Sequence, residues 1–138
     1  PKNKSLKLAF IAGGIGVTPF RSMLKYLTDI DERRDIVMLY SNKTVSEIAY
    51  KNIFDTAQRQ LGVKTFHTLT DIEKIPANWT GHAGFINEQI IREEIPDFSK
   101  RVFYISGPRS MVTAFEKVLK DMGIPRRNIK TDFFPGYV

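Results

Sequence analysis

The chain has 138 residues, a formal net charge of +6 and a pI near 9.6, with 42% hydrophobic and 26% charged residues. That composition excludes a disordered or low-complexity chain, and the length predicts one domain, residues 1–138, able to bury about two-thirds of its unfolded surface. The absence of cysteine excludes disulfides, thiolate metal sites and a cysteine nucleophile. It suits a reducing compartment, so the expected location is the cytoplasm or the cytoplasmic face of a membrane protein.

Residues 6–12 form an apolar run ending in glycines, and Phe20, Met23, Leu24, Leu27 and Ile30 then recur at helical spacing. The expected order is strand, tight turn, helix. A second strand is expected over 36–40. Thr44 and Glu47 then stand in the S/T-x-x-E relation of a capping box, which predicts a helix start, with Tyr50, Ile53, Phe54, Ala57 and Leu61 as the buried stripe and Gly62 as the stop. Residues 63–69 predict a third strand, alternating enough to lie near an edge. An irregular passage through Pro76, Trp79, Gly81 and Gly84 leads to a short helix over 87–94. Residues 101–106 read as a fourth strand, and "GPRSM" turns it into a helix with Met111, Val112, Phe115, Val118, Leu119 and Met122 as its stripe. Gly123 and Pro125 stop that helix, and residues 129–134 predict a fifth strand.

Regular alternation of strand and helix predicts an α/β fold: a doubly wound, Rossmann-like, five-stranded parallel sheet with helices on both faces. Ligands of such sheets bind beyond the carboxyl ends of the strands, where strand order reverses. The two glycine turns, after the first and fourth strands, fall at such ends. The longest apolar stretch, residues 8–20, is broken by glycines and a proline and is shorter than the roughly 18 residues of a membrane span. The start at Pro1 rather than at a methionine suits a processed product or a piece of a longer protein, whose membrane segments are left open. Charges are interleaved, as in "TDIDERRD" and "IIREEIPD", which describes a solvated surface and not a nucleic-acid footprint. His67 and His82 lack metal-ligand spacing, and no metal site is expected.

In "FIAGGIGVTP", Gly13, Gly14 and Gly16 lack a Cβ, so they can take positive φ and let another molecule approach the backbone. Pro19, at or near the first helical position, gives up an amide that would have stayed unpaired. The helix start leaves outward amides with about half a positive charge behind them, a place suited to a diphosphate. The spacing G-G-x-G-x-x-P misses the third glycine of G-x-G-x-x-G and carries no G-K-[ST], so a nucleoside triphosphatase loop is unsupported. The competing reading is a tight turn whose glycines serve close packing only.

The segments "FIAGGIGVTPFRSML", "LYSNKTVSEIAYKNIF", "WTGHAGFINEQII", "FYISGPRSMVTAFEKVL" and "DFFPGY" together resemble, in order and spacing, the nucleotide-binding half of the ferredoxin-NADP reductase superfamily. The resemblance covers essentially the whole chain. It implies that Gly13, Gly14, Gly16, Val17, Thr18 and Pro19 lie along the diphosphate and nicotinamide side of a dinucleotide, with Thr18 close to the nicotinamide. It implies that Gly107, Pro108, Arg109 and Met111 also line the dinucleotide. Ser106 matches the position near the carbon that gives up hydride, and Phe134 the aromatic that covers the flavin ring until nicotinamide displaces it. Many relatives carry cysteine where this chain has Ser106, which hydrogen-bonds but is smaller and less polarizable; a strand-end residue serving only the local turn is the other reading. Phe133 is expected in the core, and Tyr137 in a terminal tail.

The residues divide on the choice of cofactor. Ser41 and Lys43 could receive the 2′-phosphate of NADPH, and Asn42 a ribose or adenine. Plant-type relatives carry Ser-Arg where this chain has Thr70 and Asp71, and an acid there favours a free ribose 2′-hydroxyl, so NADH is favoured with Asp71 as its acidic ribose partner.

The implied function is that of a nucleotide-binding module of a flavin-dependent oxidoreductase, placing NAD(P)H for hydride transfer to FAD or FMN and onward electron transfer. Its implied partners are a flavin-binding domain of the same protein and a redox acceptor protein or domain. The flavin element R-x-Y-[ST] of relatives is absent, since no arginine here is followed two positions on by tyrosine. The chain alone is therefore expected to bind nucleotide without turnover. The alternative is a non-catalytic nucleotide-sensing or partner-docking module.

Overall fold

The computed structural model describes residues 5–131. The first strand, β1 (Lys7–Gly13), is buried at six of its seven positions, because it lies at the centre of a parallel sheet with helices over both faces and every side chain must be apolar. It feeds a 3₁₀ turn, Gly14–Val17, and helix α1 (Thr18–Asp29). Strand β2 (Ile36–Asn42), helix α2 (Lys51–Leu61) and strand β3 (Lys64–Leu69) follow. Then come β4 (His82–Ala83), α3 (Glu88–Glu94), β5 (Arg101–Ser106), α4 (Arg109–Asp121) and β6 (Ile129–Lys130).

The sheet order is β4-β3-β2-β1-β5-β6, and every pairing is parallel. The chain winds outward from β1 to one edge, then returns to the other side of β1, so the order reverses at the centre. The sheet has six strands rather than the expected five. The additional strand is β4, whose two residues pair with Thr68 and Leu69. Two residues show no alternation, so hydropathy cannot mark such a strand.

Alternation divides the core. Leu8, Phe10 and Ala12 of β1 and Ile36, Met38 and Tyr40 of β2 meet α1 and α2 through Phe20, Leu24, Phe54 and Ala57. Ala9, Ile11, Val37, Leu39, Phe103 and Ile105 face α3 and α4 through Ile90, Ile91, Phe115 and Leu119. Phe10 and Phe20 stack at 4.3 Å between centroids and pin the start of α1 to β1. Burying side chains of this size stabilises the fold by about 2 kcal/mol each.

At the amino ends of the strands, Arg101 is 6% exposed. It donates at 2.8 Å to Asp97, to Asp35 and to the Leu8 carbonyl. The Arg101 hydrogen bond holds the Asp97 carboxyl below its ordinary range. This network closes one end of the sheet and leaves the carboxyl ends as the open one.

The helix expected to begin at the capping box begins later. The Thr44–Glu47 box is formed, but it caps a separate 3₁₀ turn, Val45–Glu47. Tyr50 then adopts φ 58 and breaks the path before α2 starts at Lys51. Tyr50 is 39% exposed rather than part of the buried stripe, with the Arg21 guanidinium over its ring at 5.5 Å.

Candidate functional site

Beyond the carboxyl ends of β1, β2 and β3, against the first turns of α4, lies a cleft of about 590 Å³. Gly13, Gly14, Ser41, Asn42, Lys43, Thr70, Pro108 and Met111 line it. Two helix starts flank it. The 3₁₀ turn leading into α1 begins at Gly14, and α4 begins after Pro108 with Ser110 and Met111 on the wall. Neither start has a side-chain cap, so the amides of their first turns face outward with the positive ends of the helix dipoles. The backbone stitches the next two loops together, Thr70 N–H to the Asn42 carbonyl at 2.9 Å and Asp71 N–H to the Lys43 carbonyl at 3.1 Å.

The three glycines of the first turn answer to different demands. Gly14 alone takes positive φ, at +53°, and an added Cβ there would meet nothing within 4 Å. A Cβ on Gly13 would strike the Met111 sulfur, and one on Gly107 would lie 2.7 Å from the Met111 methyl carbon. The Met111 thioether thus occupies the space that these two glycines leave between the strand tips. A Cβ on Gly16 would stand 2.5 Å from the Ser106 carbonyl oxygen and 2.7 Å from the Gly107 Cα, so Gly16 lets the first turn press on the tip of β5. Of the three glycines that could take positive φ, only Gly14 does; Gly13, at φ −126°, and Gly16 make their close contacts with protein, and Gly14 has open space beside it.

Other expected site residues lie outside the cleft lining. Val17 is 1% exposed in the core, Pro19 sits in the first turn of α1, and Thr18 is exposed with its hydroxyl donating to the Ile15 carbonyl at 3.1 Å. Arg109 is exposed at the first position of α4. Ser106 is 1% exposed, and its hydroxyl meets no partner among the described residues. The register of β5 puts it with Val102 and Tyr104 on the face that packs against the α1 side. Asp71 is turned to Lys74, 3.9 Å away. Phe134, Phe133, Tyr137 and the end of the expected fifth strand fall outside the described residues.

The cleft also contains residues that sequence reasoning missed. Ile15 is 92% and Phe85 77% exposed, and both stand on its walls with Ile86, Ser110 and Glu47. Their signal was available: Ile15 lies inside the glycine turn and Phe85 in "GFI", apolar residues in loops where core burial is not on offer.

Among the described residues no group of three or more His, Asp or Glu could hold a metal. His82 pairs with Glu94 at 2.8 Å, and its carbonyl accepts from the Trp79 indole at 2.9 Å, a tie that holds the short edge strand. His67 lies beside a second cleft of about 470 Å³ under α2, with Phe54, Thr65 and Trp79. Burial, then the nearby Lys51 charge, lowers its pKa below the ordinary 6.5.

Fold order, a crevice at the reversal point and paired helix starts define an α/β dinucleotide-binding domain. More particularly, the chain belongs to the oxidoreductase NAD-binding domain family, whose model matches residues 10–117, and so to the ferredoxin-NADP reductase superfamily. One subunit of the Na⁺-translocating NADH-quinone reductase of Serratia proteamaculans is 31% identical over 139 residues, covering 98% of this chain and 34% of that protein. The corresponding subunit from Klebsiella pneumoniae is 32% identical with the same coverage. This chain thus spans about a third of the length of these curated relatives. Among solved structures, the FAD/NAD-binding domain of nitric oxide dioxygenase from Vibrio cholerae superimposes with a TM-score of 0.80 at 18% identity, over 96% of this chain and 52% of that one. The cytochrome b5 reductase domain of Ulva prolifera nitrate reductase gives 0.78 at 21% identity, over 92% and 50%.

Proposed function

We propose that this module holds NAD(P)H along the cleft and presents it for hydride transfer to FAD or FMN on a flavin-binding domain of the same protein, from which electrons pass to a redox acceptor. The observation that carries this reading is the convergence of two uncapped helix starts on one crevice, with open space over Gly14. Outward amides at Gly14 and at residues 109–111 suit a diphosphate. The amide of Asn42, 5% exposed and with neither polar atom partnered among the described residues, supports a polar ligand in the same place.

Hydride transfer is the chemistry that nicotinamide and flavin supply when bound. This chain's residues bind, orient and exclude water. Gly14 and the turn at Gly107, Pro108 and Arg109, together with Met111, would hold the diphosphate. Val17, Thr18, Pro19 and Ser106 would hold the nicotinamide half, and Phe134, outside the described residues, is the aromatic that the family resemblance assigns to the flavin ring. Ser41, Asn42, Lys43 and Thr70, at the ends of β2 and β3, would hold the adenosine half. NADH is the favoured cofactor. No helix among the described residues is long and apolar enough to cross a membrane; the module is proposed to work in the cytoplasm or on the cytoplasmic face of a membrane protein.

The test is a calorimetric titration of the chain with NADH and NADPH, followed by diaphorase assays with and without added flavin. Binding without turnover is expected; absence of binding overturns the reading, and fast turnover by the chain alone contradicts the division of labour. The burial of Ser106 outside the cleft lining favours a second reading, a nucleotide sensor without catalysis. Wild-type flavin reduction by the full-length protein would exclude it.

A further inference from the structure

Among the described residues one carboxylate lines the cleft, and it is not that of Asp71. Asp71 is absent from the lining, and its carboxylate faces Lys74 at 3.9 Å. Glu47 is on the lining, at the rim shared by Ser41, Lys43 and Thr70. Its position is fixed. Oε2 accepts from the Thr44 backbone amide at 3.2 Å, the contact by which the Glu47 side chain closes its half of the capping box, and from the Thr44 hydroxyl at 3.4 Å. Oε1 makes no hydrogen bond among the described residues, and no cation of those residues lies within 4.0 Å of the carboxylate. The capping box therefore holds one oxygen and leaves the other for the cleft.

The position of this rim gives the carboxylate its selectivity. With the diphosphate at the two helix starts, beside the tips of β1 and β5, the rim at β2 and β3 meets the adenosine ribose. A free 2′-hydroxyl donates a hydrogen bond to a carboxylate oxygen. A 2′-phosphate has no proton to offer at neutral pH and brings roughly two negative charges against one, a repulsion that water and salt weaken but do not remove. A like charge on this rim penalises the 2′-phosphorylated ligand alone, against the attraction that Lys43 on the same rim offers its phosphate.

We propose that Glu47 is the specificity-determining residue of this cleft, accepting the adenosine 2′-hydroxyl of NADH and turning NADPH away. The inference rests on the nucleotide-binding reading above. It goes further by assigning the choice to the residue that also locks the turn after β2, and it relieves Asp71 of that role.

The experiment compares the dissociation constants of NADH and NADPH for the unmodified chain, Glu47→Gln and Asp71→Asn. Glutamine keeps both contacts to Thr44 while removing the charge. Glu47→Gln is expected to shift the NADPH-to-NADH affinity ratio about tenfold toward NADPH, and Asp71→Asn to leave it unchanged. An unchanged ratio in Glu47→Gln, or a shift carried by Asp71→Asn, overturns the proposal. Should Glu47→Gln fold poorly, Glu47→Ala, at an exposed position of a single 3₁₀ turn, removes the same charge and must move the ratio toward NADPH. Movement toward NADH would refute it. An unmodified chain that binds neither nucleotide fails the nucleotide-binding reading itself, a result distinct from either ratio.

Discussion

Gly16→Ala and Gly14→Ala differ by one methyl each and two residues in sequence, yet they should fail in different ways. At Gly16 the new Cβ stands 2.5, 2.6 and 2.7 Å from the Ser106 oxygen, the Ser106 carbonyl carbon and the Gly107 Cα. All three are backbone atoms at the end of a strand paired through its length to β1, so none can rotate away as a side chain would. Overpacking of this kind costs about 3 kcal/mol, the upper end of the usual range. For a domain of this length that lowers Tm by roughly 10 °C. At Gly14 the Cβ meets nothing, and the cost is the left-handed backbone alone, about 1 kcal/mol or roughly 4 °C. The loss predicted there is functional, because under the proposed function the methyl enters the open space left for the diphosphate. Thermal unfolding followed by circular dichroism, with NADH binding followed by fluorescence quenching, separates the two. Gly16→Ala should melt early, and Gly14→Ala should melt near the unmodified chain while losing about tenfold or more in affinity. A Gly16→Ala chain as stable as the parent would refute the close approach of the two strand tips.

Gly13→Ala clashes with the flexible Met111 side chain, while Pro108 lies at an ordinary 3.7 Å, so it should cost about 1 kcal/mol, and Met111→Ala in the same chain should return part of that; additive losses in a double-mutant cycle would deny the contact. The lowered pKa of His67 means the folded chain binds that proton less readily than the unfolded one. Its contribution is complete above the unfolded value near 6.5 and is lost as pH falls toward the folded value. Denaturant midpoints should therefore drop between about pH 7 and 5 in the parent more than in His67→Phe, and parallel curves would contradict the assignment.

Much of this architecture was legible because burial imposes period and punctuation. The run in β1, the stripe of α4 and the short helix α3, whose start Asn87 caps by accepting from Ile90 N–H at 2.9 Å, fall where the sequence predicts. What was hidden depends on contacts between distant residues. Thr44 and Glu47 form their box as read, but the left-handed Tyr50 confines it to a single turn. Gly13 and Gly107 are 94 positions apart in the chain and are both small because one methionine lies between them, a relation that no local spacing encodes. Of the site, the positions at strand ends were readable from the glycine turns. The side on which a loop acid points was not: Asp71 faces Lys74, while Glu47 lines the cleft.

The most direct measurement of the central claim is the amide spectrum of the isotopically labelled chain titrated with NADH. Shifts should concentrate at Gly14, Ser41, Asn42, Lys43, Thr70, Ser110 and Met111, the residues at the two helix starts and at the ends of β2 and β3. Shifts concentrated instead at Phe54, Thr65, His67 and Trp79, around the second cleft, would contradict it, as would a spectrum that NADH leaves untouched.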